Sequence, residues 1–446
     1  MNNVDTSRPP LWLRALRAAA IIGLAAALCL ILALAVVAFL ARHSPSSFIE
    51  RFEPGNRLMV GVCIGILVAL AIVLVPSALV SLGERKGCLS WKGIAVRWLA
   101  VGAVFVWLSW DDAAVRHPLS MEDFSPSFPG ADSSYALLMR YSKYHPSPEA
   151  KAFEGAKWDV ATAGPATIGD ADKRFAFVAA KRSELEADWM RLSPQRRWLA
   201  DLDSFERIGD VTQADPAADV VSFRVWMALS QRSSARAIGL AMDGKGDDAI
   251  DTLVPLIEVA RKLQPYSRTL VRGMVGVHVE KVALEAAGSI LDRVQVSAAA
   301  RGRLLAALEP NDGPGLARHL VLSEYPNFVA VIRAARFGDV AIQGDGHVGL
   351  AQRALNFLGR LFINQNATVN AYGDRMLVLA SAAEARDEDA IAADARVNDS
   401  YIPGMKNIIG ELMIISSMPS YDHVIREYWH MVDEREALRG RLQKGT

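Results

Sequence analysis

Apolar residues gather in three blocks near the start of the chain and recur every three or four positions over most of the rest. The first block, Ala18 to Ala41, runs twenty-four residues without a charge, and the second, Leu58 to Leu82, runs twenty-five. At roughly 1.5 Å per helical residue, each exceeds the roughly 30 Å hydrocarbon layer of a bilayer. The third block, Gly93 to Trp110, is shorter and contains Arg97, close enough to one end to reach the headgroups. Trp91, Trp98, Trp107 and Trp110 cluster at its two ends, as an aromatic belt does. The pattern predicts three transmembrane helices, at about 18–41, 58–82 and 93–110.

Beyond them, residues 111–134 are rich in Pro, Ser, Gly and Asp and read as a linker. From 135 to 446 the apolar spacing is helical, with no convincing run of alternating β-branched residues. The expected fold is all-α: N-terminal transmembrane helices followed by an irregular domain of stacked helical hairpins. Further helices are predicted over 267–293 and 297–310, with Ser267 and Ser297 as N-caps, and over 316–338, 348–363, 367–396, 400–415 and 419–443.

Charge orients the membrane region. Seven basic residues (Arg8, Arg14, Arg17, Arg85, Lys86, Lys92 and Arg97) fall before the first span or between the second and third. Arg42, Arg51 and Arg57 lie in the other loop, beside Glu50 and Glu53. The excess predicts a cytoplasmic N-terminus, and three spans then deliver the body to the far side. The Ala- and Arg-rich composition points to a bacterial inner membrane and a periplasmic body. An uncharged stretch this long is an anchor rather than a cleaved signal, whose apolar region is about 7–15 residues. Cys29 follows Leu28, not the small residue a lipoprotein signal requires. No cysteine occurs after Cys88, so the body needs neither disulfides nor a thiolate metal site. Ten basic residues face four acidic ones in 1–110, against thirty-nine and forty-five in the remainder. A mildly acidic body argues against nucleic acid as a partner.

Residues 237–265 read as two helices folded about "DGKGDD", with Gly244 at the turn and Ala249 where the helices touch. Ala237, Leu240, Gly244, Ala249, Leu253 and Leu256 have the spacing of small and large packing positions, and the stretch resembles a tetratricopeptide unit. Ser233 stands where that repeat has an aromatic residue, Pro265 falls a turn late, and no second copy follows at the repeat's period. The resemblance implies a concave helical surface that binds peptides or other domains.

Candidate chemistry is sparse. "GDGHVG" at 344–349 has the spacing of a dinucleotide loop, but a poor strand precedes it and Val369 and Asn370 stand where an acid is needed. His423, Glu427, His430 and Glu434 share one helical face and could gather at a metal, although the same pattern describes an ordinary solvated face. Glu324 and Glu411 are lone carboxylates in apolar runs, where burial raises a pKa as acid catalysts require. Asn364, Gln365, Asn366 and Asn370 form a polar cluster that could line a cleft. The first two spans hold no ionisable residue, which argues against transport. No cofactor is implied. The expected role is a membrane-anchored helical body binding another envelope protein, in assembly, secretion or immunity. The alternative is an anchored hydrolase using carboxylates such as Glu324.

Overall fold

The computed structural model describes residues 110–124, 127–144, 147–155, 170–215, 218–309, 313–334, 364–400 and 421–444, with isolated positions 99, 103, 106, 407 and 414. The first two expected spans and most of the third lie outside the described residues, as do the helices expected over 348–363 and most of 400–415. Among the described residues no helix is long and apolar enough to cross a membrane.

The described chain is helical, and its one β feature is an isolated bridge between Ser142 and Val221. In order come α1 (Met121–Phe124), α2 (Ala131–Leu138), α3 (Pro148–Gly155), α4 (Ala171–Ala180), α5 (Arg182–Arg191) and α6 (Ser193–Asp203). Three long helices follow: α7 (Phe223–Met242), α8 (Gly246–Leu263) and α9 (Leu270–Leu291). Then come α10 (Ala298–Ala307), α11 (Gly313–Leu322), α12 (Tyr325–Ala334), α13 (Gln365–Ala385), α14 (Glu388–Ser400) and α15 (Tyr421–Lys444). The chain divides into two compact units. One comprises Met1–Arg116, Ile332–Tyr372 and Arg396–Met418; the other comprises His117–Val331, Gly373–Ala395 and Pro419–Thr446.

In the second unit the hairpin is present and longer than the 237–265 stretch. Its helices have 20 and 18 residues, together more than one 34-residue repeat. Gly244, at φ 74°, ends α7, and Lys245 N–H returns to Leu240 O at 2.9 Å. That pairing satisfies an orphan carbonyl through a left-handed residue, which glycine adopts without steric cost. Ala249 is fully buried, as a helix contact requires. The next helix, α9, packs on both α7 and α8. A Cβ on Gly276 would lie 2.7 Å from Ala260 O, so the α8–α9 approach depends on that missing side chain.

α9 is buried on most of its circumference, and α7, α8, α11 and α15 all pack on it. Burying that much of a helix draws charges inside, and they are paired. Glu280, wholly buried, accepts from Gln264 Nε2 at 2.7 Å and from Arg435 of α15 at 3.1 Å. Arg272, near the N-terminal end of α9, donates to the carbonyls of Ile208 and Gly209, each at 2.6 Å, and lies 3.3 Å from Asp210. Asp210 also accepts from Arg268 N–H at 2.8 Å and from Thr212 N–H at 3.0 Å. This network pins the strandless segment between α6 and α7 to the foot of α9.

Several elements differ from the sequence pattern. Residues 111–134, expected as a linker, contain α1 and the first turn of α2, with Met121, Phe124 and Ala131 buried. The continuous helix expected over 316–338 is two helices: Pro326 lacks an N–H and its ring would collide with the preceding turn, so the chain restarts at Tyr325. The helix expected over 367–396 breaks at Arg386, whose φ is 55°. There Asp387 N–H reaches back to Ala382 O, and the Asp387 carboxylate accepts from Ala390 N–H. Ser297 caps α10 as predicted, accepting from Ala300 N–H. At α9 the cap is Thr269, two residues after the expected Ser267.

Candidate functional site

One stripe of α9 is left open. Val271, Met274, His278, Lys281 and Glu285 follow at three- and four-residue steps, so they stack on one face. From Met274 to Glu285 that face floors a groove of about 380 Å³ walled by Phe223 of α7 and by His423 and Glu427 of α15. Phe223 begins its helix and is 45% exposed. Its ring lies 5.5 Å from the His278 imidazole, tilted at 54°.

The groove's charges are bonded to one another. Lys281 Nζ lies 2.7 Å from Glu427 Oε2, and Glu285 Oε2 lies 2.6 Å from an Arg174 nitrogen of α4. Arg174 is held by Ser289 Oγ at 3.0 Å as well. Burial pushes the His278 pKa down, and the Lys281 charge adds to the effect, so the imidazole is neutral near pH 7. Its Nε2 is buried with no hydrogen-bond partner among the described residues. Burial raises the Glu285 pKa against the pull of Arg174 and Lys281. Glu434, farther along α15, is raised by burial and then by Glu285.

Of the residues suggested for metal binding, His423 and Glu427 both line this groove. His430 instead turns to Glu434, with Nδ1 3.4 Å from Oε1. Among the described residues no group of three or more His, Cys, Asp or Glu side chains could hold a metal ion. Glu324 stands between α11 and α12, where its Oε2 accepts from Leu270 N–H at 3.2 Å, the first residue of α9. A carboxylate there satisfies an orphan donor and complements the helix dipole. Its pKa is raised by burial, which outweighs the hydrogen bonds from Leu270 and Asn327. Glu411 and "GDGHVG" lie outside the described residues.

The asparagine cluster is a clamp on the segment that follows the third apolar block. Asp111 accepts from the N–H groups of Asn366 and Ala367, at 2.9 and 2.8 Å, and so caps α13. Asn370 Nδ2 donates to Asp112 at 2.7 Å and to Ala114 O at 3.0 Å, while its Oδ1 accepts from Arg116 N–H at 2.7 Å. Asn364 and Thr368 bond Asn407 instead.

His278, Lys281, Glu285 and Phe223 escape a sequence reading. The α9 sequence "LVRGMVGVHVEKVALEAAGSIL" spreads its charges around the helix, with Arg272 and Glu280 buried, and Glu427, the residue that pairs with Lys281, lies 146 positions away. Compared with protein-family models, curated proteins and solved structures, the chain finds no match.

Proposed function

We propose that the chain is anchored in a bacterial inner membrane through three spans, with its N-terminus in the cytoplasm. Its extracytoplasmic helical body would bind another envelope protein through the α9 groove. The observation that carries the binding reading is the groove's internal neutralisation. Lys281 is bonded to Glu427 and Glu285 to Arg174, while Phe223 and Val271 stay exposed. An exposed aromatic beside apolar surface and already-paired charges is the composition of a contact surface. Proton transfer to a substrate asks instead for an accessible acid or base in the cleft, whereas the unpaired His278 Nε2 is buried. A hydrolase working through Glu324 has less support, because that carboxylate is engaged at the N-terminus of α9.

The anchor reading draws support from the third apolar block. Leu99, Ala103 and Val106 are helical at four- and three-residue steps and all exposed, Leu99 at 74%. Trp110 follows at 67%. An open apolar helical face suits lipid, with tryptophan at the headgroup level.

A photo-crosslinking residue in place of Phe223, in the full chain in its membrane, tests the binding reading. It should give a discrete adduct that Met274→Lys removes. Adducts no different from those at the exposed Val378 of α13 would sink the reading. For topology, a reporter active outside the cytoplasm should work when fused after Ser134 and be silent after Cys88; the reverse pattern would overturn the orientation.

A further inference from the structure

Within the second unit, the end of α6, the last turns of α8 and the end of α10 wall another open groove, of about 470 Å³. That volume falls within the roughly 300–1,000 Å³ of small-molecule sites. It shares no residue with the α9 groove, and its lining differs in kind. There, valines, a methionine and a phenylalanine face the opening. Here six of the ten lining residues are charged, three acids and three bases, and the one aromatic is Tyr266.

Bonds between the helices fix these groups. Lys262 Nζ donates to Asp203 O and to Asp203 Oδ1, each at 2.7 Å, which ties α8 to the end of α6. Glu258, one turn earlier on α8, stands beside that pair, and burial with the Asp203 charge lifts its pKa against the pull of Lys262 and Arg261. The Arg261 guanidinium is bonded to the carbonyls of Ala307 and Glu309, which ties α8 to the end of α10. Glu206 and Arg207 stand 3.7 Å apart, both more than half exposed. The Tyr266 ring rests on Phe128, with centroids 5.4 Å apart and planes tilted by 56°.

Two features select a ligand. Three acids and three bases cancel in formal charge, so the groove has no net field to draw in an ion. Donors and acceptors held side by side match a group that both gives and accepts hydrogen bonds, as a hydroxyl does. Several hydroxyls around an apolar C–H face make up a sugar ring, and that face packs on an aromatic side chain. We propose that the groove between α6, α8 and α10 binds an uncharged saccharide, with its hydroxyls on Asp203, Glu258 and Arg207 and a ring face on Tyr266.

Saturation-transfer NMR on the full chain, in a detergent without a sugar headgroup, tests this with maltose, cellobiose and diacetylchitobiose as probes. At least one disaccharide should receive saturation. Its affinity should hold as ionic strength rises from about 0.05 to about 0.5 M, because screening acts only between charges. Ala306 is an exposed residue of the wall. Ala306→Trp therefore fills the groove from its rim, and should abolish transfer while leaving the melting temperature unchanged. Glu258→Gln keeps the side chain's shape and loses a charged acceptor, and should weaken binding about tenfold or more. If no disaccharide receives saturation, if affinity collapses with salt, if transfer survives Ala306→Trp, or if Glu258→Gln binds as the native chain does, the groove is not a saccharide site.

Discussion

The foot of α9 and its open stripe use the same residue types to opposite ends. At the foot, Arg272 and Asp210 are almost wholly buried, and main-chain carbonyls and N–H groups complete their hydrogen bonding. On the stripe, Lys281 and Glu427 pair side chain to side chain, partly buried, beside a half-exposed ring. Charges saturated by backbone hold a fold together, and removing one leaves its partners stranded. Charges paired side chain to side chain at a rim contribute little to stability and remain able to exchange partners. Function on this helix is therefore to be sought where apolar surface, not charge, stays exposed.

The largest test of this contrast is Arg272→Ala. Stranding Asp210 and two carbonyls should lower stability by about 3–5 kcal/mol in a denaturant titration. A loss under about 1 kcal/mol would erase the distinction between foot and stripe. Next comes Ala249→Phe, which forces a ring into the closed α7–α8 contact and should cost about 1–3 kcal/mol, read as a lower melting temperature. Tolerance of that ring would mean the hairpin packs less tightly than full burial of Ala249 indicates.

A smaller effect is expected from pH. The Glu324 carboxyl has a folded pKa raised above its ordinary 4.5. A raised carboxyl favours folding below its unfolded pKa, and that contribution is lost as pH rises through the folded one. Glu324→Gln keeps an acceptor for Leu270 N–H and removes the titration. The variant should therefore match the native chain near about pH 4 and gain on it towards about pH 8, measured as melting temperature. A variant that lost stability at the higher pH would assign the ionised carboxylate a net stabilising role. Smallest of all on stability should be Met274→Lys and Phe223→Ser, within about 0.5 kcal/mol as for other surface positions. Both should nevertheless abolish partner capture. If capture survives both, the stripe is not the contact surface.

How much of this was legible in the sequence depends on whether the cause is local. The turn at Gly244, the buried Ala249 and the Ser297 cap are set by residues within a few positions, and each is readable. The break at Arg386 is marked locally only by the Asp387 cap on Ala390 N–H, and an aspartate before a helical run is too common to stop the pattern there. Asp247 shows the same limit: it sits in the first turn of α8, where an acid complements its own helix, yet its carboxylate accepts from Ser297 N–H fifty residues on, at 2.8 Å. Asn366 and Asn370 are visible as a polar cluster, but their partners lie more than 250 positions earlier. His423 and Glu427 are visible as one helical face, whereas the α9 stripe that completes their groove is masked by Arg272 and Glu280, charges on the buried faces of the same helix. A helix enclosed by other helices has little amphipathic signature, and its single open side emerges only from where the neighbours stop.

The Glu280–Arg435 pair has a consequence for how the molecule is made. Its two members are 155 residues apart, and Arg435 lies in α15, the last described helix. At a bacterial elongation rate of about 5–20 residues per second, roughly 8–30 s pass between emergence of the carboxylate and of its counterion. During that interval α7, α8 and α9 are complete, and within them Glu280 has the hydrogen bond from Gln264 and the nearby charge of Arg261 but not the ion pair with Arg435. Until α15 docks, the buried carboxylate lacks its hydrogen-bonded counterion, so the three-helix core is expected to close less tightly than in the finished fold.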